Sequence, residues 1–533
     1  MTAKPPHNGL EVSQANFSLF TSWQMCDACG LPPHVIPIVR DGDGRPQTKK
    51  LLTCSGCKSA AYHDATCQRS HWTSGHKKEC KELKSALRPL NDLLTWYAKY
   101  EEARSSFSDN CTDCKRVTTW WDQHDFDGMD ASKFKNYNQL WKQSVQNWKK
   151  QEYLIAMEGF QRSLQPFSSA WETYITSTRA ESKVIARKYI EDDKYSKFIE
   201  QSFILARRLL FCSYCELDGG QVDIARDRMV QCISILITIF EPSLVKHEST
   251  IELMDDAWME LMLSMEEIPQ HRAIARHVAK LAILTHSCRW TDPMQRPGYM
   301  ARCPLKSIPH TATEKHPQWC TTLEQNWESI VKEYKKLASH NLQSFSDVGS
   351  GERGSGHDDH KVVTGTSWKE YVLFGTGAKN SDADAPLTKG LLRKHVPDAV
   401  SLAEQGGGEV IFSRLAPKTR IEAHCGPTNL RWTAHLGLVI PGDGSKCRIR
   451  VGMQWHSWEP GKILLFDDSF EHEVHNDTDE ERVVLLLRVW HPELSGKPAM
   501  RNEFLMEAMV KKEEAVNKRY HPPLQPKLRL LGI

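Results

Sequence analysis

Apolar residues recur at intervals of three and four through the middle of the chain, most clearly over residues 194–211 and 221–240. This spacing places the apolar side chains on one face of an α-helix, so we predict a mainly helical domain over residues 83–343. No internal repeat aligns within this region, and both a helical solenoid and an irregular helical domain agree with its pattern. The pattern indicates no role for the domain.

The hydrophobic pattern changes after a Gly/Ser-rich stretch, residues 344–366, which we predict to be a flexible linker. Short apolar runs follow at 409–412, 436–440 and 483–487, separated by turn residues such as Pro441 and Gly442. Many short strands with regular turns favour a double-stranded β-helix, or jelly roll, over residues 367–497. Residues 498–533 are predicted to form a charged helix and an extended tail. The expected fold class is multidomain α+β.

Composition narrows the classes of partner. The chain has 533 residues, room for about three domains, and its 69 Lys+Arg nearly balance its 67 Asp+Glu. We therefore expect no direct nucleic-acid partner. The longest apolar run, residues 233–240, is too short to span a bilayer, and the N-terminus has no secretory pattern. We expect a protein without a membrane anchor, in the cytoplasm or the nucleus.

Cysteine and histidine are concentrated near the N-terminus, over residues 23–82. They form four close pairs: Cys26 with Cys29, Cys54 with Cys57, His63 with Cys67, and His76 with Cys80. Eight such ligands suffice for two tetrahedral zinc ions. Because so short a segment has little core of its own, metal binding would supply much of its folding energy.

The spacing of these pairs, with Tyr62, Gln68 and Trp72 around them, resembles the MYND-type zinc finger. Two features depart from that family: His63 stands where a cysteine is usual, and the loop 30–53 is long. The resemblance implies a module that recruits short, proline-containing peptides. It also implies interleaved ligand sets: Cys26, Cys29, His63 and Cys67 for one zinc ion, and Cys54, Cys57, His76 and Cys80 for the other.

Two further cysteine pairs, Cys111 with Cys114 and Cys212 with Cys215, lack a second pair nearby. We interpret them as ordinary core or surface cysteines.

A second group of candidate metal-ligating residues lies near the C-terminal end, where His424 and His472 each occur in a strand-and-turn context and Arg482 lies ten residues past the second. Two histidines and an arginine suit a ferrous iron at the mouth of a β-barrel, with a dicarboxylate co-substrate beside it. The carboxylate ligand that commonly follows the first histidine by two positions is absent, because Gly426 stands there.

The strings at 424–429, 435–441, 458–462, 466–474 and 490–494 resemble the aspartyl/asparaginyl β-hydroxylase family of Fe(II)- and 2-oxoglutarate-dependent dioxygenases. The resemblance covers about a quarter of the chain. This family is known for a two-histidine site without the carboxylate, so Gly426 agrees with it. The resemblance implies His424 and His472 as iron ligands.

The same resemblance implies how the co-substrate and substrate are held. Arg482 would pair with the distal carboxylate of 2-oxoglutarate, and Ser413 would bond to that carboxylate. His435 would bind the proximal end, and Arg431 an acidic substrate group. Thr433 stands where the family has another arginine, so co-substrate binding or substrate choice could differ.

The function implied is hydroxylation of Asp or Asn β-carbons in a peptide or protein, with the finger recruiting a partner. Two alternatives stay open: a non-enzymatic MYND adaptor with a degenerate barrel, which Thr433 favours, and a small-molecule oxygenase. A MYND-associated lysine methyltransferase is disfavoured, because its cofactor-binding strings are not recognisable.

Overall fold

The computed structural model divides the chain into two compact units, Met1–Pro293 with Asn517–Ile533, and Met294–Val516. It describes residues 35–40, 46–48, 52–56, 61–77, 80–81, 84, 135–165, 193–239, 248–266, 278–279, 282–283, 288–301, 305, 308–311, 315–340, 345–348, 363–378, 383–442 and 445–520.

The finger at the start of the first unit is built from two short hairpins and a helix. Strand β1 (Val35–Arg40) pairs with β2 (Pro46–Thr48), and β3 (Leu52–Thr53) pairs with β4 (Ala61–Tyr62). The helix Ala65–His71 begins after Asp64, whose carboxylate accepts hydrogen bonds from the amides of Thr66 and Cys67. This cap satisfies amides that a helix start leaves unpaired. A π-helical turn, Trp72–His76, follows.

The rest of the first unit, where described, is helical. Its helices are Lys135–Lys149, a stretch at 153–165, Asp193–Asp218, Val222–Ile239 and Glu248–Glu266. Aromatic rings form the core where three of them meet: Trp141, Trp148, Phe160 and Phe211. None of the helices that the structure describes combines the length and apolarity that crossing a membrane requires.

Cys212 and Cys215 lie buried in the helix Asp193–Asp218, and burial raises the pKa of the Cys215 thiol to about 12. A thiol held neutral in this way packs as a small apolar side chain. Cys111 and Cys114 lie outside the described residues.

The second unit contains two antiparallel sheets. One has the strand order β13-β10-β15-β8-β7-β5, and the other the order β12-β11-β14-β9-β6. Their strands are β5 (Ser346–Asp347), β6 (Val363–Thr364), β7 (Trp368–Phe374), β8 (Val410–Leu415), β9 (Thr419–His424), β10 (Arg431–Val439), β11 (Cys447–Val451), β12 (Gln454–Ser457), β13 (Ile463–Phe466), β14 (His472–Asn476) and β15 (Arg482–Trp490).

The two sheets pack face to face. Ile411 of the larger sheet and Ile449 and Val474 of the smaller one share an apolar cluster. Strand β15 shows the alternation: Val484 and Leu486 point between the sheets, whereas Leu485 packs into a different cluster. This is the jelly-roll-like arrangement that the strand pattern predicted.

The outer face of the larger sheet is covered by four helices, Gln318–Gln325, Trp327–His340, Pro386–His395 and Pro397–Glu404. The C-terminal helix Pro498–Tyr520 packs through Phe504 and Leu505 against Trp490 and Leu494. This apolar cover buries the outer face of the larger sheet.

The observed boundaries differ from the expected ones at two places. Residues 294–343, expected in the helical domain, belong to the compact unit that holds both sheets. Within the expected linker, β5 pairs with β7 and β6 pairs with β9. Strands of two residues are too short to show alternation, so their Gly/Ser-rich surroundings dominated the sequence pattern. Residues 349–362 lie outside the described residues.

Candidate active site

The strand register brings His424 and His472 together. His424 ends β9 and His472 begins β14, and the two residues are paired directly across these antiparallel strands. Their ring centroids are 4.3 Å apart. Two imidazoles at this separation can ligate one metal ion.

Backbone carbonyls set the tautomer of both rings. The Nδ1 atom of His424 lies 2.7 Å from the oxygen of Glu422, and that of His472 lies 2.8 Å from the oxygen of Phe470. A carbonyl only accepts, so each Nδ1 carries the proton and each Nε2 keeps a lone pair for a metal. Burial lowers the pKa of His472 to about 3, which keeps this ring neutral at physiological pH.

Close packing excludes a carboxylate ligand two positions after His424. A Cβ atom at Gly426 would lie 2.8 Å from the backbone oxygen of Asp468 and 2.9 Å from its Cγ atom. The Gly426 amide donates to that same oxygen over 2.6 Å. Only glycine fits here, so the departure noted in the sequence has a steric cause.

Arg482 begins β15 and is buried, with its guanidinium carbon 4.9 Å from the centroid of the Trp458 ring. Its Nε and Nη1 atoms have no hydrogen-bond partner among the described residues. Burial lowers the pKa of Arg482 to about 10, so the group stays charged at neutral pH. An unpaired buried cation is costly, and a bound carboxylate would offset that cost.

His435 lies between the arginine and the histidine pair. Its ring stacks on that of Trp458, with the ring centroids 5.9 Å apart, and meets the Phe466 ring edge-on at a centroid distance of 5.1 Å. The ring centroids of Phe466 and His472 are 5.7 Å apart. Burial, reinforced by the charge of Arg482, holds the pKa of His435 well below its usual range. The neutral ring retains one N–H donor.

Ser413 is buried on β8, where it is paired with Val484 of β15. Its Oγ atom accepts a hydrogen bond of 3.0 Å from the indole N–H of Trp368. The hydroxyl proton of Ser413 therefore remains able to donate to a ligand.

Arg431 is buried and largely engaged. Its Nη1 atom donates to the oxygen of Gly407 over 2.8 Å, and its Nη2 atom lies 3.2 Å from a carboxylate oxygen of Asp468. An acidic substrate group at Arg431 would therefore compete with Asp468.

Arg488, which the sequence analysis missed, is paired across strands β10 and β15 with Thr433. Its Nε atom lies 3.4 Å from Asp468, and its Nη1 atom pairs with Glu409. A guanidinium therefore lies beside Thr433 on the neighbouring strand. The alternation of β15 could have found it, because Arg482 and Arg488 share one face of that strand.

Three of the predicted zinc ligands converge. The ligand atoms of Cys54, His76 and Cys80 lie within 4.8 Å of one another. They belong to one predicted set, whose fourth member, Cys57, lies outside the described residues. His63 is buried and Cys67 is half-buried, and their predicted partners Cys26 and Cys29 also lie outside the described residues.

Comparison with known proteins places the sheets and the finger in two families. Residues 324–492 match the family Aspartyl/Asparaginyl beta-hydroxylase, and residues 26–80 match the MYND finger. The mouse aspartyl/asparaginyl beta-hydroxylase is 33% identical over 217 residues, covering 39% of this chain and 28% of the relative. An ornithine lipid ester-linked acyl 2-hydroxylase of Rhizobium tropici is 31% identical over 215 residues, covering 37% of this chain and 70% of the relative.

The chain belongs to the aspartyl/asparaginyl β-hydroxylase family. The predicted family and the predicted MYND finger are both confirmed. These relatives are named hydroxylases, which supports a hydroxylase here. The chain spans 28% of the mouse relative and 27% of the human one, which is also 33% identical. A Pseudomonas putida prolyl-4-hydroxylase structure covers 32% of this chain at 12% identity and a TM-score of 0.21, too low to bear on the fold.

Proposed function

We propose that this protein is an Fe(II)- and 2-oxoglutarate-dependent dioxygenase that hydroxylates Asp or Asn β-carbons in a peptide or protein. The observation that carries the proposal is a buried arginine, Arg482, with two nitrogen atoms that lack a hydrogen-bond partner among the described residues, in the same sheet sandwich as two paired histidines whose Nδ1 atoms both face backbone carbonyls. A buried end that carries a cation and a half-buried end that carries two metal-ligating histidines suit a chelating dicarboxylate.

In this proposal His424 and His472 hold the iron through Nε2. Because no side chain fits at Gly426, the protein would supply no carboxylate ligand from that position. Iron, 2-oxoglutarate and O2, when bound, would supply the oxidising chemistry: one oxygen atom of O2 goes to succinate as CO2 is released, and the other goes to the substrate.

The other residues orient the co-substrate and exclude water. Arg482 forms a bidentate pair with the distal carboxylate, and the Ser413 hydroxyl donates to the same group. The neutral His435 ring donates to the proximal end. Trp458 and Phe466 form apolar walls around His435, which strengthens each of these charge contacts.

On the substrate side we propose Arg431 as the residue that holds the acidic or amide group of the substrate. Arg488 stands beside it and supplies the guanidinium that Thr433 cannot. Both arginines share the carboxylate of Asp468, which keeps their donors in fixed positions.

For the finger we propose two zinc ions, held by the two interleaved ligand sets, and recruitment of a proline-containing peptide. The convergence of Cys54, His76 and Cys80 supports the zinc ion of the second set.

Succinate production tests the catalytic proposal. Anaerobically purified protein receives Fe(II), 2-oxoglutarate and then O2, beside the variants His472→Ala and His395→Ala. We expect succinate from the wild type and none from His472→Ala. His395→Ala is the control and should also produce succinate, because His395 is the last residue of the outer helix Pro386–His395. Absence of both succinate and 2-oxoglutarate binding in the wild type would favour the adaptor.

The name of the Rhizobium relative favours a small-molecule oxygenase as a second candidate, because that relative is named for a lipid substrate. Mass spectrometry distinguishes the two. One added oxygen atom on Asn- or Asp-containing peptides supports the first proposal, and one on an ornithine lipid supports the second.

A further inference from the structure

A buried segment outside residues 324–492 contacts the turns that adjoin both histidine-bearing strands. Residues 294–301, here called the bracing segment, include Gln295 and Arg296, both buried. A buried amide and a buried guanidinium are costly unless they are paired, so their partners are informative.

One half of the bracing segment holds the turn that leads into His472. The amide of Glu471 donates to the Met294 oxygen over 2.6 Å. The side-chain amide of Gln295 donates to the Ser469 hydroxyl over 2.8 Å, and Gln295 forms an antiparallel bridge with Phe470. Three consecutive residues of this turn are therefore fixed.

The other half holds the turn that follows His424. The amide of Tyr299 donates to the Pro427 oxygen over 3.0 Å. The amide of Ala301 donates to the side-chain oxygen of Asn429 over 2.9 Å. One short segment thus spans the turns beside both histidines.

Ion pairs strengthen the contact at His472. Arg296 lies 2.9 Å from one carboxylate oxygen of Glu471, and Arg450 lies 2.8 Å from the other. Arg450 also pairs with Glu473. Glu471 and Glu473 flank His472 in the chain, so both of its neighbours are held by guanidinium groups. Removing one partner from such a buried network leaves uncompensated charge.

The bracing segment therefore bears on the orientation of a metal ligand. Phe470, which it pairs with, supplies the carbonyl that accepts the His472 Nδ1 proton and so directs Nε2. We propose that the bracing segment is part of the metal centre and that Gln295 and Arg296 are positioning residues for His472. This inference rests on the proposed function.

The test measures the affinity of zinc-loaded, full-length protein for Mn(II). The electron paramagnetic resonance signal of free Mn(II) reports how much of the ion stays unbound. We expect Arg296→Gln to bind Mn(II) about 10-fold more weakly than wild type, as is typical when the support of a metal ligand is lost. Arg296→Lys, which keeps a cation on Glu471, should recover most of that affinity. Gln295→Ala should show a smaller loss.

Arg420→Ala is the matched control, because it removes an exposed arginine–aspartate pair from the same sheet. Its Mn(II) affinity should equal that of wild type. Far- and near-ultraviolet circular dichroism confirms that each variant is folded. If Arg296→Gln does not fold, Gln295→Ala decides, because it removes no charge from the buried network.

The outcomes separate two failures. Equal Mn(II) binding by wild type and His472→Ala would reject the proposed metal site itself. If His472→Ala loses binding while a folded Arg296→Gln or Gln295→Ala variant binds like wild type, the bracing segment only packs and the inference is wrong.

Discussion

At the scale of single residues, burial of the Arg482 guanidinium lowers the stability of the folded chain when no ligand is bound. Its guanidinium is buried with two nitrogen atoms that have no hydrogen-bond partner among the described residues. Burying a charge without a partner costs several kcal/mol, which an apolar side chain of similar length would not pay. In its proposed role, Arg482 would therefore contribute to ligand binding at a cost in stability of the unliganded fold.

We predict that Arg482→Met raises the free energy of unfolding by about 1–2 kcal/mol and abolishes measurable 2-oxoglutarate binding. Urea unfolding and calorimetric titration measure the two effects. The control is Arg414→Met, on strand β8 next to β15. This variant loses a more exposed ion pair with Glu481 and should retain 2-oxoglutarate binding. Lower stability of Arg482→Met would show that the arginine has structural partners.

Asp467 gives the molecule a specific dependence on pH. It is fully buried, and its Oδ1 atom accepts from the amide and hydroxyl of Ser469. Burial is the main cause that raises the pKa of Asp467 to about 8. Between the pKa of Asp467 in the unfolded chain and pH 8, Asp467 holds a proton in the folded state that it releases in the unfolded state. The contribution of Asp467 to the stability of the folded state is complete below its pKa in the unfolded chain. It is lost as the pH rises toward 8.

We predict that Asp467→Asn removes this loss, because an amide is isosteric with the protonated acid and does not titrate. Relative to the variant, wild type should lose stability by up to ~1.4 kcal/mol per pH unit between about pH 4 and 8. Unfolding curves at several pH values measure the difference. Parallel stability profiles would mean that Asp467 is ionised throughout.

At the scale of secondary-structure elements, the two faces of β15 contact different apolar clusters, and only one of these faces adjoins the candidate active site. Leu485 points toward the covering helices, whereas Leu486 points between the sheets and is paired with His435. Both are fully or nearly fully buried, so their truncation leaves a cavity on one side or the other.

We predict that Leu485→Ala and Leu486→Ala each lower the free energy of unfolding by about 2–5 kcal/mol. Only Leu486→Ala should also weaken 2-oxoglutarate binding, because its cavity adjoins His435. Denaturant unfolding beside ligand titration makes this comparison. Equal losses of ligand binding in both variants would contradict the division between the two faces.

At the scale of the whole molecule, the proposed zinc ligands Cys54, His76 and Cys80 and the histidine pair belong to different compact units. If the finger binds zinc as proposed, metal binding would supply much of its stability, whereas the sheets have extensive apolar clusters. Loss of zinc should therefore affect the finger first.

We predict that Cys54→Ser lowers the bound zinc from two ions to one and leaves the Kd for 2-oxoglutarate within about twofold of wild type. Metal analysis and titration measure the two quantities. Cys447→Ser, at a buried cysteine of β11, is the contrasting control and should keep both zinc ions. Coupled loss of 2-oxoglutarate binding in Cys54→Ser would show that the finger supports the catalytic unit.

The sequence by itself determined the features that depend on near neighbours. Paired cysteines and histidines in the finger, and the apolar run that became β15, follow from the spacing of residues a few positions apart. The strings around His424 and His472 carried the family. A helix or a ligand pair is specified by local geometry, so its signature is visible in the chain.

Tertiary structure alone decided which distant residues meet. The register of β9 against β14 joins the two histidines, and that of β10 against β15 places Arg488 beside Thr433. Gln295 reaches Ser469 across 174 positions. Such contacts arise when two sheets pack and their cores exclude water. No local pattern records them, because the free energy that selects them belongs to the assembled sandwich.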